Sequence, residues 1–242
     1  MRGLRGAPCA ESDERAEIGN ALALQVAMKI LFLHQNMPGQ FRHLAPALAR
    51  ANEVAFITRR DDLDLEGVRR ITYAPRRAPR ADVHHYVRSF EDAVLHGQAV
   101  VRACLDLAKD GFHPDVIVAH PGWGESLFAK DVYPRARLLH YCEYYYRGHG
   151  ADVGFDPGAP ATIDTICRTR ARNAHLLLAL AACDRGWSPT EWQRHRHPAE
   201  LLAKIAVVHD GIDTRLLRPD PAAGFTLPNG RELTAADERS RG

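Results

Sequence analysis

Short, unbroken apolar runs recur along the chain, separated by longer stretches with helical spacing, and this alternation constrains the fold more than any other feature. Lys29 to Leu33, Glu53 to Thr58, Asp115 to Ala119, Arg137 to Tyr141 and Ile205 to Val208 are four to six residues long and apolar on both faces. Such runs mark strands buried on both sides of a parallel sheet. Val68 to Tyr73 and the minimal Arg185 to Trp187 read as weaker strands. Between them, Gln40 to Ala51 places Phe41, Leu44, Ala45, Leu48 and Ala49 on one helical face. Val83 to Lys109 contains a long helix with Phe90, Val94, Val101, Leu105 and Ala108 together, stopped by Gly111 and Pro114. Gly124 to Val132 reads as a short helix, Ala161 to Cys183 as a long one, and Pro189 to Ala203 as a helix interrupted at Pro198. Alternating strands and helices of this kind predict an α/β fold: a doubly wound, mainly parallel sheet with right-handed crossovers.

Composition narrows the class further. At 242 residues, 45% hydrophobic and 26% charged, the chain can bury a core without staples. Its five cysteines include no Cys-x-x-Cys pair, which argues against a zinc ribbon and for a reducing, cytoplasmic location. With 32 Lys and Arg against 30 Asp and Glu, total charge points to no nucleic-acid partner. The longest apolar run, Leu176 to Cys183, is too short to span a bilayer. Residues 1–27 read as an extension outside the fold, disordered or a frayed helix, with Met28 as the expected natural start.

Doubly wound sheets bind ligands at the carboxyl ends of their strands, so the strand-to-loop junctions are the candidate sites. After the first strand come His34 to Phe41, where Gly39 permits close backbone approach beside a helix N-terminus. A single glycine is not the dinucleotide fingerprint, which disfavours a nicotinamide or flavin cofactor. His120-Pro-Gly-Trp-Gly-Glu-Ser126 forms the second junction. His120 reads equally as a hydrogen-bonded strand-end histidine or as a reactive group, and Trp123 as a packing residue or a platform for a sugar ring. Glu125 reads as an acid in a first helical turn. The third junction, Cys142-Glu-Tyr-Tyr-Tyr-Arg147, offers aromatic rings either to the cleft or to the core. His195 and His197, interleaved with arginines, read as a solvated basic face and not a metal pair. The arginines of Arg76 to Arg80, with Arg59 and Arg60, are candidates for an acidic head group or a phosphate, with a solvated loop as the default. No Walker loop or nucleophile elbow is present.

The segments Ile30-Leu-Phe-Leu-His-Gln-Asn-Met-Pro-Gly-Gln-Phe-Arg-His-Leu-Ala, Asp115-Val-Ile-Val-Ala-His-Pro-Gly-Trp-Gly-Glu-Ser and Tyr141-Cys-Glu-Tyr-Tyr-Tyr together resemble the N-terminal domain of family-4 glycosyltransferases. So does the stretch from Ser188-Pro-Thr-Glu-Trp-Gln to Val207-Val-His-Asp-Gly-Ile-Asp213, and the resemblance covers Met28 to about Pro221. It implies a GT-B enzyme with two Rossmann-like domains, of which this is the acceptor side, and metal-independent hexosyl transfer with retention from a nucleotide-sugar to a glycan or lipid-linked acceptor. It implies a catalytic role for His120, orienting the donor sugar and stabilising developing positive charge. Substrate-binding positions implied by the matching motifs are Gly39, Gln40, Gly122, Trp123, Gly124, Glu125, Glu143 and Tyr144, with Asp210 and Gly211 at the hinge.

The expected organisation is a Rossmann-like domain over 28–213 and a stub of a second domain over 214–242, without that domain's nucleotide pocket. On this reading the chain is inactive alone, as a fragment or as one half of a split enzyme whose partner is a separately encoded C-terminal domain. Peripheral membrane contact is compatible with it. The alternative is a non-catalytic nucleotide- or glycan-binding module, or an inactive remnant.

Overall fold

The computed structural model describes residues 27–151, 153–220 and 223–234, so the extension expected before Met28 falls almost wholly outside the described residues. The chain divides into two compact units between Val208 and His209.

In the first unit, seven parallel strands form one sheet in the order β3-β2-β1-β4-β5-β6-β7. They are β1 (Lys29–Leu33), β2 (Glu53–Thr58), β3 (Val68–Thr72), β4 (Val116–Ala119), β5 (Arg137–Tyr141), β6 (Arg185–Ser188) and β7 (Ile205–Val207). This is the Rossmann-like α/β class that the alternation predicts. Alternate residues of β1 serve opposite faces: Leu31 and Leu33 join one core cluster, and Ile30 and Phe32 the other. Leu31 and Phe32 are fully buried, each contributing about 2 to 3 kcal/mol of apolar transfer.

The helices depart from expectation in informative ways. In place of a helix over Gln40 to Ala51 there is a single 3-10 turn, Gly39–Phe41, and then α1 (Leu44–Ala49). The long helix α2 spans Arg88–Lys109, but its buried face is Ala93, His96, Gly97, Val100, Cys104 and Leu107, and Leu105 is exposed. Small residues win that face because the loop after β4 lies against the helix: a Cβ on Gly97 would meet the carbonyl oxygen of Gly124 at 2.8 Å. Gly124 to Val132 contains only α3 (Ala129–Val132), preceded by a 3-10 turn at Pro121–Trp123.

Ala161 to Cys183 is two helices, α4 (Ile163–Arg172) and α5 (Ala174–Ala182). They break at buried Asn173, whose side chain accepts from the Tyr146 amide at 3.0 Å and donates to the Tyr146 carbonyl at 2.8 Å. Pro189 to Ala203 holds α6 (Glu191–Arg194) and a 3-10 turn over Ala199–Lys204. His197 corrects the reading of a wholly solvated face: it is 3% exposed and its Nδ1 faces the Gln193 carbonyl at 3.0 Å. Among the described residues no helix is long and apolar enough to cross a membrane.

In the second unit, β8 (Gly224–Thr226) and β9 (Glu232–Thr234) pair as an antiparallel hairpin where only an apolar patch was expected. Asp210 and Gly211 belong to this unit. Gly211 has φ +80°, and its amide donates to Nδ1 of His209 at 3.0 Å.

Candidate functional site

The chain runs from β1 outward to β3, then returns to lay β4 on the other side of β1. The crevice between the carboxyl ends of β1 and β4 is therefore the topological switch point. The register pairs Leu33 with Ala119, so the next residue of each strand, His34 and His120, emerges there side by side, with ring centroids 5.2 Å apart.

Both histidines have their tautomers set by their own loops. The Asn36 amide donates to His34 Nδ1 at 2.9 Å, and the Gly122 amide donates to His120 Nδ1 at 3.0 Å. Each ring therefore carries its proton on Nε2. His34 Nε2 donates to Oε1 of Gln40 at 2.8 Å, Gln40 Nε2 donates to Oε2 of Glu143 at 3.0 Å, and His120 Nε2 donates to the same oxygen at 2.8 Å. A continuous chain, His34 to Gln40 to Glu143 to His120, thus closes across three strand ends. Burial pushes His34 down to about 4, which keeps it neutral. The His120 hydrogen bond holds Glu143 below the usual carboxylate range, so its charge persists at neutral pH. The Glu143 side chain is 39% exposed, leaving this carboxylate open to a ligand.

The glycines of the two loops make room for these rings. Gly39 has φ +48°, and a Cβ there would lie 2.5 Å from His34 Nε2, so close approach at this position serves the histidine. A Cβ on Gly122 would meet His120 at 2.6 Å. Trp123 stacks on His120 at 4.7 Å with 29° between the planes and also touches His34. His120, Trp123, Tyr141, Glu143, Tyr144, Tyr146 and Leu176 line a cavity of about 110 Å³. That is room for part of a sugar ring, well below the roughly 300 to 1,000 Å³ of whole small-molecule pockets.

The structure therefore gathers His120, Gln40, Gly122, Trp123, Glu143 and Tyr144 at one place, with Gly39 behind His34. Glu125 goes elsewhere. Gly124 turns the loop with φ +99°, and Glu125 enters the core at 1% exposure, where it accepts from the Tyr73 hydroxyl at 2.7 Å. His96 Nδ1 lies 2.8 Å from the same hydroxyl. Burial raises Glu125 to about 7, and its Oε2 has no hydrogen-bond partner. Sequence reasoning missed His34 as a site residue, although a histidine ending a buried strand was the available signal. Of the tyrosines that the third junction offered to cleft or core it singled out Tyr144 alone, whereas Tyr146 also lines the cavity, held by the distant Asn173. No group of three potential metal ligands occurs among the described residues.

A parallel sheet carrying its exposed carboxylate and paired histidines at the switch point defines a Rossmann-like domain with a ligand crevice between β1, β4 and β5. The chain belongs to the glycosyl transferase family 4 group, which matches it over residues 50–217. No curated protein matches it. Among solved structures it is similar to the catalytic domain of starch synthase IV from Arabidopsis thaliana, bound to ADP and acarbose, at 16% identity and TM-score 0.47, covering 78% of this chain and 52% of that one. UGT2 of Phytolacca americana, complexed with UDP-2-fluoro-glucose and pterostilbene, matches at 10% identity and TM-score 0.46, covering 75% and 53%. UDP-GlcNAc 2-epimerase of Methanocaldococcus jannaschii matches at 17% identity and TM-score 0.40, covering 75% and 45%. The chain thus spans about half the length of these structures.

Proposed function

We propose that this chain is the acceptor side of a retaining, metal-independent GT-B glycosyltransferase that moves a hexosyl group from a nucleotide-sugar to a glycan or lipid-linked acceptor. The observation that carries this reading is the His120–Glu143 pair, 2.8 Å apart at the ends of β4 and β5 beside the switch point. As the bond from the sugar to its leaving diphosphate lengthens, positive charge develops on the ring. A half-exposed carboxylate kept ionised and oriented by His120 and Gln40 is arranged to stabilise that charge. Trp123 and Tyr144 supply flat apolar faces for a sugar ring. On this reading the donor nucleotide is held jointly with a second domain.

A second reading has its own observation. Both ring nitrogens of His120 are already engaged, as in a histidine that only shapes a binding loop. That favours a non-catalytic glycan- or nucleotide-binding module. Assaying the longest natural form of the protein against UDP-, GDP- and ADP-sugars separates the two. A transferase gives product of retained anomeric configuration, insensitive to EDTA and reduced about 100-fold or more by His120→Ala. Saturable sugar binding without turnover in any combination supports the module, and a His120→Ala rate equal to wild type sinks the proposed role of His120.

A further inference from the structure

A second cavity, of about 570 Å³, opens between the first turn of α2 and one face of α4. Its walls include Arg88, Ser89 and Asp92 from α2, and Thr165, Arg168, Thr169 and Arg172 from α4. The α4 residues follow the i, i+3, i+4, i+7 spacing that would make a packing face if they were apolar. Here that face is Thr-Arg-Thr-Arg, with Arg168 and Arg172 exposed and Thr169 buried at the cavity wall.

Three guanidiniums confront one carboxylate in these walls. Several arginines elsewhere hold carboxylates: Arg60 sits on Asp62, Arg69 on Asp110, Arg77 on Glu91 and Arg80 on Asp82. The carboxylates held by Arg60, and by Arg77 and Arg80 of the Arg76 to Arg80 loop, are in keeping with the default reading of a solvated loop. Arg88 and Arg168 form no ion pair among the described residues, and at the rim His85 faces Asp164 at 3.3 Å. No side chain caps the N-terminus of the 22-residue helix α2, which starts at this cavity, so its free amide dipoles add to the positive potential. Hydroxyls of Ser89 and Thr169 supply neutral donors beside the charges. Arginines with hydroxyls around a volume of this size suit a multiply charged oxyanion such as a phosphate.

This cavity also adjoins the first. The Arg172 guanidinium lies 4.0 Å from the centroid of the Tyr146 ring, and Tyr146 lines the cavity that contains His120 and Glu143. We propose that the arginine cavity is the anion subsite for the acceptor, holding a phosphate or pyrophosphate group while the acceptor's reacting end reaches past Tyr146 toward Glu143. The word acceptor rests on the glycosyltransferase reading; the anion binding does not.

Titration of the purified chain with inorganic pyrophosphate by calorimetry tests it. One saturable site is expected, weakened by about tenfold or more in Arg88→Gln/Arg168→Gln, because a charge-assisted hydrogen bond is lost at each position. Both arginines are exposed, so the double variant should keep the wild-type circular dichroism. Exposed Arg185→Gln is the control and should bind as wild type. A parallel arm measures co-sedimentation with phosphatidylglycerol/phosphatidylcholine vesicles against phosphatidylcholine alone. Pyrophosphate binding without vesicle binding assigns the site to a soluble phosphorylated group. Vesicle binding lost only in the double variant assigns it to a lipid phosphate. No binding in either arm, or equal losses in Arg185→Gln, overturns the proposal. Variant-sensitive pyrophosphate binding in a protein that transfers no sugar leaves the subsite standing and removes the transferase reading.

Discussion

Two networks share the loop from His120 to Glu125, and each joins a carboxylate, a histidine and a neutral hydrogen-bonding side chain. In one, Glu143 meets His120 and Gln40 at the crevice and stays ionised. In the other, Glu125 meets Tyr73 in the core beside His96 and is pushed up to about 7. The chemical parts are nearly the same, and the balance between burial and hydrogen bonding reverses the shift. At Glu143 the His120 hydrogen bond outweighs partial burial and favours the anion, whereas at Glu125 full burial outweighs the Tyr73 hydrogen bond. The crevice network is therefore suited to meeting a cation-like ligand, and the core network to holding α2 against the loop.

Gly124 separates the two networks, and breaking it should have the largest effect. At φ +99° a Cβ would collide with the backbone of Ala93, so Gly124→Ala should cost about 3 to 5 kcal/mol in urea unfolding and displace both Glu125 and the His120 loop. A loss under about 1 kcal/mol would mean the loop does not need this turn.

Next in size is the pH response of Glu125. Its folded value of about 7 exceeds its ordinary 4.5, so between those values the native state holds a proton that the unfolded chain releases. The stability it contributes is full below 4.5 and lost as pH rises through 7. Glu125→Gln lacks this titration, so its stability relative to wild type should improve by about 3 kcal/mol from pH 4.5 to above 7. Measuring the difference between the two proteins cancels the opposite trend from His34, which is neutral when folded and protonates on unfolding as pH falls from 6.5 toward 4. A pH-independent difference would place Glu125 in a wetter setting than the structure shows.

The same substitution at Glu143 sharpens the contrast through activity. Glu143→Gln keeps a hydrogen-bond acceptor but removes the charge, and should lower the transfer rate of the longest natural form about 100-fold with little change in stability. Glu125→Gln should do the reverse. Equal rates for Glu143→Gln and wild type would remove the electrostatic role.

The smallest effects come from the neutral partners. Tyr73→Phe strips a fully buried carboxylate of its donor and should cost about 1 to 3 kcal/mol. Exposed Gln40→Ala lets water replace the lost bonds and should cost under about 1 kcal/mol by the same unfolding measurement. Similar costs would erase the distinction between a wet and a dry network.

Much of this molecule was readable from the chain. Runs such as Lys29 to Leu33 are apolar on both faces because both faces are covered, so strand number and the parallel sheet follow from composition and period alone. His120 could be singled out because strand ends at a switch point are where side chains meet a crevice, and Gln40 and Glu143 because their motifs resemble those of family-4 glycosyltransferases. The buried face of α2 could not be read, since hydrophobicity pointed to Phe90 and Leu105 while close approach of the Gly124 loop selected Ala93 and Gly97. The helix break at Asn173 was equally hidden, because its cause is a pair of hydrogen bonds to Tyr146, 27 residues away.

Sequence by itself determined the layered α/β class and the loops that carry its polar groups, because short-range period and burial are written in neighbouring residues. Tertiary structure decided which of two acids faces solvent, which arginines stay unpaired, and that His34 completes the crevice network. Those outcomes depend on register between strands and on the water left around each charge, and residues close in sequence do not encode either one.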